Sequence, residues 1–284
     1  MNQATINDGL EFLTCLYTQG LGYSAINTAR SALSAVITLG DKTTFGEHPL
    51  VTRFLKGIFE LKPSLPRYSV IWDVGTVLKY LQTLRPVADL PLKQLTKKLV
   101  MLLALVTAQR TQTLAKLDLT FMQDLPDRVM FSIRDRLKTT RPGKHLAPIE
   151  ILSYPQDLTI CPVAHIKPYI AKTETLRQTS TLLISYTKPH KAVTNSTIGR
   201  WVKSIMKDAG IDVSTFSAHS SRTAASSYGV LSGLTLQDIL KAGGWSNAEV
   251  FARHYNKPLA QNFGNAILDR FSGNANNHND NDSS

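Results

Sequence analysis

The sequence has little cysteine. Two residues, Cys15 and Cys161, among 284 exclude a disulfide framework and a cysteine-rich zinc site, and they fit a reducing compartment. No long apolar run is present either. The longest, Leu99 to Val106, is far short of the roughly 20 residues a membrane span needs, so it reads as a helix buried on all sides and no membrane partner is expected. The start, Met1 to Asp8, has neither the basic nor the apolar region of a secretory signal. There is no internal repeat. Negative charge is scarce: 21 Asp and Glu face 32 Lys and Arg, for a net +11 and a pI near 9.6. Such a balance suggests a polyanionic partner, most often nucleic acid. What remains is an ordinary globular composition, 43% hydrophobic and 19% charged, neither disordered nor fibrous. A chain of this length suggests about two domains.

The first 60 residues read as helical. Ser24 is the expected N-cap of a helix with Ile26, Ala29, Leu33, Val36 and Ile37 at helical spacing. Asn27, Thr28, Ser31 and Ser34, beside Arg30, form an opposite polar face. It reads as solvated, with approach to a phosphate backbone as the sharper alternative. A further apolar patch spans Phe54 to Leu61. The two prolines of Lys62-Pro63-Ser64-Leu65-Pro66-Arg67 then break any helix, which makes this stretch the linker. Helices resume over Val74 to Leu84 and Leu92 to Leu105. Next the period changes. Arg128 to Ile133 is β-rich, Pro142-Gly143 signals a turn, and His145 to Leu152 reads as a returning strand. Ile198, Trp201, Val202, Ile205 and Met206 mark an amphipathic helix opened by Asn195 or Ser196, with Arg200, Lys203 and Lys207 on its other face. Ser272 to Ser284 is expected to be disordered. The fold class expected is mostly α with a small antiparallel β-sheet.

Charge is clustered: residues 93 to 145 hold 11 Lys and Arg against 4 Asp, a net +7. Four local features follow in order. Val106-Thr107-Ala108-Gln109-Arg110 places an arginine just after the most apolar helix. Leu137-Lys138-Thr139-Thr140-Arg141-Pro142-Gly143-Lys144 places lysines at the hairpin turn. Ala218-His219-Ser220-Ser221-Arg222 sets His and Arg at i and i+3, on one helix face. Gly243-Gly244-Trp245 is followed by Tyr255, ten positions after the tryptophan. Singly, each has an ordinary structural explanation: a solvated helix end, an exposed turn lysine, a chance pair, core packing.

Together and in this order they resemble the tyrosine recombinase (phage integrase-like) family, from about Trp72 to Phe271. Gly20 to Ser34, Trp72-Asp73-Val74 and the tryptophan at 245 are most similar to recombinases of DIRS-type retrotransposons. The resemblance implies a helical core-binding (SAM-like) module over residues 1–62, a linker at 63–67, and a mixed, mainly α catalytic domain over 68–271. Residues 272–284 form a tail. The two domains would close on double-stranded DNA as a clamp. It implies strand transfer through a covalent bond between Tyr255 and a DNA 3′ phosphate. A tyrosine has a pKa near 10, so on the order of one in a thousand is ionised at neutral pH, and the attack needs a proton acceptor. His219 is the candidate, with phosphate contact as its other role. Arg110 and Arg222 would clamp the phosphate oxygens, and Trp245 would donate its indole N–H. Lys138, or second Lys144, would protonate the leaving 5′ oxygen. No metal, no cofactor and no ATP are implied.

Arg30, Arg141, Lys144, Arg200, Lys203 and Lys207 are the candidate DNA-binding cations. Phe263, Ile267 and Phe271 form an apolar stripe, and the family often docks such a helix, here 259–271, onto a neighbouring subunit in a tetramer on DNA. A transposon origin would place the chain in the nucleus, and otherwise in the cytoplasm or nucleoid. Two departures from the family stand out. Thr113 occupies a position where an acidic residue is common, and the core-binding module reads as short at its start, as a truncated copy would. The competing readings are a co-opted, catalytically idle DNA-binding protein and a type IB topoisomerase.

Overall fold

The computed structural model describes residues 4–37, 43–63, 68–137, 140, 147–245 and 248–257, without the side chains of 250, 253 and 254. The expected lysine-bearing turn, the helix at 259–271 and the tail at 272–284 lie outside these residues. The chain divides into two compact units, Met1–Arg67 and Tyr68–Ser284.

The first unit holds α1 (Ile6–Thr18), α2 (Tyr23–Val36) and α3 (Pro49–Leu61). A capping box starts α1: Thr5 Oγ1 accepts from Asp8 N–H while Asp8 accepts from Thr5 N–H, pairing two donors the helix leaves orphaned. Leu13, Ile26, Phe45, Val51, Leu55 and Ile58 form the core. Two expectations need correction here. Helix α2 opens one residue before Ser24, with extended Gly22 as its cap. Val36, the last residue of the helix, is 77% exposed, whereas Leu33 and Ile37 pack against the core. The polar face is also divided. Thr28 and Ser31 are exposed, whereas Arg30 lies against Gly46 and its Nε and Nη2 donate to Asn27 Oδ1 at 3.1 and 2.9 Å.

The second unit is built on α5 (Leu92–Thr107). From Leu99 to Leu105 every side chain is buried, so this helix is apolar all round and needs neighbours on every side. They are α7 (Pro162–Thr173), α8 (Asn195–Asp208), α9 (Ser220–Leu231) and strand β3 (Ile149–Leu152). Val106, at the end of the apolar run, is exposed. Before α5 comes α4 (Val74–Thr83), capped by Asp73 accepting from Gly75 N–H at 2.9 Å. After it come α6 (Thr111–Leu114), α10 (Leu236–Gly243) and α11 (Ala248–His254).

The sheet is antiparallel in the order β1 (Met122–Asp124), β2 (Arg128–Phe131), β3, with Val129 opposite Ile151 and Phe131 opposite Ile149. These pairs put four apolar side chains on the core face. The expected strands are shorter than their apolar composition suggested, since the ladder stops at Phe131 and begins again at Ile149. Helix α8 begins at Asn195, one of the two expected openings, with Thr194 as its cap, whose hydroxyl accepts from Thr197 N–H.

Candidate active site

Helix α5 ends in a turn that carries the first arginine. Ala108 takes the left-handed conformation, φ 47°, which costs a residue with a Cβ about 1–2 kcal/mol. The turn brings Arg110, half-buried, to the N-cap of α6. It also directs the Ala108 carbonyl to Arg222, whose Nη1 donates to Ala108 O at 2.6 Å and to Gly243 O at 2.8 Å.

His219 caps α9, and Arg222 lies in its first turn, 1% exposed. Trp72 Nε1 donates to Ser220 Oγ at 2.9 Å and fixes this helix start from the side. Helix α10 ends at Gly243 and Gly244. Gly244 adopts φ 68°, which glycine reaches without steric penalty. Any Cβ on Gly243 would overlap the Trp245 ring. The two glycines thus fold the indole back onto the site. Trp245 packs edge-on against Phe251 and Tyr255, with ring centres 5.2 and 4.9 Å away.

Tyr255 follows α11 and places its hydroxyl 3.4 Å from His219 Nε2. The Arg222 guanidinium lies 3.6 Å from the Trp245 ring centre and 5.3 Å from that of Tyr255. Burial lowers the Arg222 pKa and the Arg110 charge lowers it further, while Tyr255 acts in the opposite direction. An arginine still remains charged. Its Nε and Nη2, and Trp245 Nε1, are buried donors with no acceptor among the described residues. Buried polar groups are nearly always paired. Here three such donors belong to two residues packed against the ring of one tyrosine. Among the described residues no three His, Cys, Asp or Glu side chains assemble as a metal would need.

The profile of the Phage integrase family matches residues 78–262, about two thirds of the chain and every one of the six residues singled out for catalysis. The chain belongs to the phage integrase family. No curated protein matches it. Solved structures with the same fold include a XerH site-specific recombinase bound to palindromic difH substrate in a post-cleavage complex. That match has 16% identity, 93% of this chain, 70% of that one and a TM-score of 0.59. A Tn1549 transposon integrase in complex with transposon right end DNA matches at 14% identity, 96% and 86% coverage, and a TM-score of 0.58. A lambda integrase dimer bound to a COC' core site matches at 15% identity, 93% and 67% coverage, and a TM-score of 0.54. The mostly helical fold with a small antiparallel sheet is that of these integrases and recombinases.

Within this family member, Arg110, His219, Arg222, Trp245 and Tyr255 come together, and Lys138 lies outside the described residues. So do Arg141 and Lys144. Arg200, Lys203 and Lys207 are exposed on α8. Two residues that the sequence reading passed over hold the site in place. Gln109, buried beside Arg110, donates from Nε2 to Ala242 O at 2.7 Å. It joins the arginine turn to the end of α10. Ser227 donates to Tyr255 O at 2.6 Å and accepts from Lys257 N–H at 3.0 Å, pinning the backbone around the tyrosine. Both act on backbone atoms distant in sequence, so no local pattern marks them.

Proposed function

We propose that the chain is a tyrosine-type DNA recombinase that breaks and rejoins DNA through a 3′-phosphotyrosine. The observation that carries the reading is the packing of Arg222 and Trp245, whose buried donors lack an acceptor among the described residues, against the ring of Tyr255, with His219 Nε2 3.4 Å from its hydroxyl. Tyr255 Oη attacks the scissile phosphorus, and the O–P bond it forms replaces the bond to the 5′ oxygen. His219 takes the phenol proton. Arg110, Arg222 and Trp245 Nε1 hold the non-bridging oxygens as negative charge builds on them. Lys138, with Lys144 as second choice, gives the leaving 5′ oxygen its proton. Religation is the reverse: a 5′ hydroxyl attacks the phosphotyrosine and frees Tyr255. The bond energy stays in the ester, so no ATP is consumed.

On this reading residues 1–62 are the core-binding module, and duplex DNA is the substrate. The similarity of residues 20–34 to DIRS-type recombinases supports a mobile-element role and work in the nucleus. Self-assembly on DNA through residues 259–271 completes the proposal. The test is a nicked duplex carrying the element's terminal repeats, on which cleavage loses the short strand and traps the adduct. Protein joined to DNA after denaturation supports the reading. Intact DNA with bound protein makes the chain a DNA-binding relative without recombinase chemistry.

A further inference from the structure

Tyr255 stands just past the end of α11 (Ala248–His254), a helix of seven residues, and a helix that short does not hold its own end in place. Tertiary contacts of the residues around it therefore decide where the phenol points. Ser227 bonds only the backbone there, at Tyr255 O and Lys257 N–H. The side chain of Lys257 reaches much further. Its ammonium donates to Tyr68 O, 189 positions away in the chain, and lies over the Tyr68 ring, 4.7 Å from the ring centre. A ring face attracts a cation at that distance. Lys257 has no carboxylate partner among the described residues, so the carbonyl and the ring are what hold its charge.

Tyr68 is the first residue of the second unit, directly after the linker. Its ring also packs on Phe216, with centres 5.4 Å apart and planes inclined at 58°. Phe216 is buried in the main core, and its N–H donates to Asp212 O at 3.0 Å. Three residues later comes His219. The stretch between them is fixed by the hydroxyls of Ser220 and Ser221, which donate to Ser217 O at 2.7 Å and to Ala218 O at 2.8 Å. Tyr68 thus touches the segment leading into His219 through Phe216, and the segment leaving Tyr255 through Lys257. Between those segments His219 Nε2 and the Tyr255 hydroxyl stand 3.4 Å apart, with ring centres 5.9 Å apart. A separation of 3.4 Å is at the long end for a hydrogen bond, so a small displacement of either side breaks it.

We propose that Lys257 and Tyr68 are positioning residues for Tyr255. The clasp they form ties the chain after the tyrosine to the chain before His219, and so sets the distance between the phenol and the imidazole. Lys257 acts through Tyr255 and needs no contact with DNA for this, since its ammonium is already engaged and its side chain is half-buried. That the aligned hydroxyl is the attacking group rests on the recombinase reading.

The test uses the full chain with two readouts. One is fluorine NMR of 3-fluorotyrosine placed at position 255, recorded without DNA. The other is the rate of adduct formation at saturating protein. Lys257→Met keeps the apolar stem and removes the charge, and Lys257→Arg keeps a cation with donors. Lys257→Met is expected to shift or broaden the resonance of residue 255 and to slow adduct formation about ten- to a hundredfold, with duplex affinity and melting temperature close to wild type. Lys257→Arg should restore both readouts. Tyr68→Leu removes the ring and keeps the carbonyl. It should move the resonance in the same direction and add little when combined with Lys257→Met, and it decides the matter if Lys257→Met does not fold. An unchanged resonance overturns the proposal, as does an unchanged rate in a chain whose wild type forms the adduct. A rate loss that disappears at saturating protein also overturns it, by making Lys257 a DNA contact. So does a lowered melting temperature that Lys257→Arg leaves uncorrected, which marks a purely structural role. If the wild type forms no adduct, the recombinase reading falls, and the resonance of residue 255 still decides the clasp.

Discussion

Arg222 and Trp245 stack with the guanidinium carbon 3.6 Å from the indole ring centre. The same arginine spans two backbone carbonyls through Nη1 and keeps Nε and Nη2 unpaired. One edge of the guanidinium is therefore structural, and the other keeps donors without an acceptor among the described residues. The indole supports the charge by its face, and its own N–H is buried without an acceptor among the described residues.

This division separates the two arginines. Losing one preorganised donor of this kind typically slows chemistry about 10²–10³-fold, so Arg110→Ala and Arg222→Ala should each slow adduct formation by that much. Only Arg222→Ala also unpairs the Ala108 and Gly243 carbonyls, and it should destabilise the fold by about 2 kcal/mol or more. Denaturant melts of the two variants check this. Equal stabilities would contradict the structural role of Nη1. Chelator should leave the wild-type rate unchanged.

The indole N–H can be tested apart from the ring. Trp245→Phe keeps an aromatic face under Arg222 and removes the donor. It should slow adduct formation about a hundredfold while leaving the melting temperature within a few degrees of wild type. A full rate would show that the N–H does not meet the phosphate.

Gln109 offers a third prediction. Gln109→Ala frees the Ala242 carbonyl and loosens the Arg110 turn. It should cost about 1–2 kcal/mol of stability and lower the adduct rate. In a double-mutant cycle its effect on rate should largely vanish when Arg110 is already Ala. Simple additivity would show that Gln109 supports the fold without positioning the arginine.

The pattern of what the sequence revealed follows from the range of each interaction. Helix α5 is legible because its burial is written in an unbroken apolar run. The residues that gather at the candidate site are legible because the family resemblance rests on residue type and chain order. Strand β1 is not, since Met122-Gln123-Asp124 is three residues with two exposed and has no alternation to read. Gln109 reaches a carbonyl 133 positions away and Ser227 one 28 positions away. Lys257 joins Tyr68 only through the fold. The cap of α8 is Thr194; Thr194, Asn195 and Ser196 are all good caps, and only backbone geometry chooses among them.

A buried histidine gives the pH dependence of stability. His165 Nδ1 lies 2.7 Å from Cys161 O, and since a carbonyl only accepts, Nδ1 carries the hydrogen. Nε2 is buried without a partner among the described residues. Burial lowers the pKa to about 4, and the nearby Lys98 charge adds to this. Between pH 4 and the ordinary value of about 6.5 the unfolded chain binds the extra proton, so stability falls as pH drops through this window. The loss attributable to His165 is on the order of 2–3 kcal/mol. His165→Gln should be less sensitive over the same range in urea melts. An unchanged pH slope would mean that other groups set it.

The central claim is that Tyr255 becomes covalently joined to DNA. The most direct measurement is mass spectrometry of the peptide that carries a nucleotide after proteolysis of the trapped complex, run beside Tyr255→Phe. The account predicts the modification on the peptide holding Tyr255, and no adduct from Tyr255→Phe although that variant still binds the duplex. An adduct that survives in Tyr255→Phe, or a nucleotide attached at Tyr228 or any other residue, would contradict it.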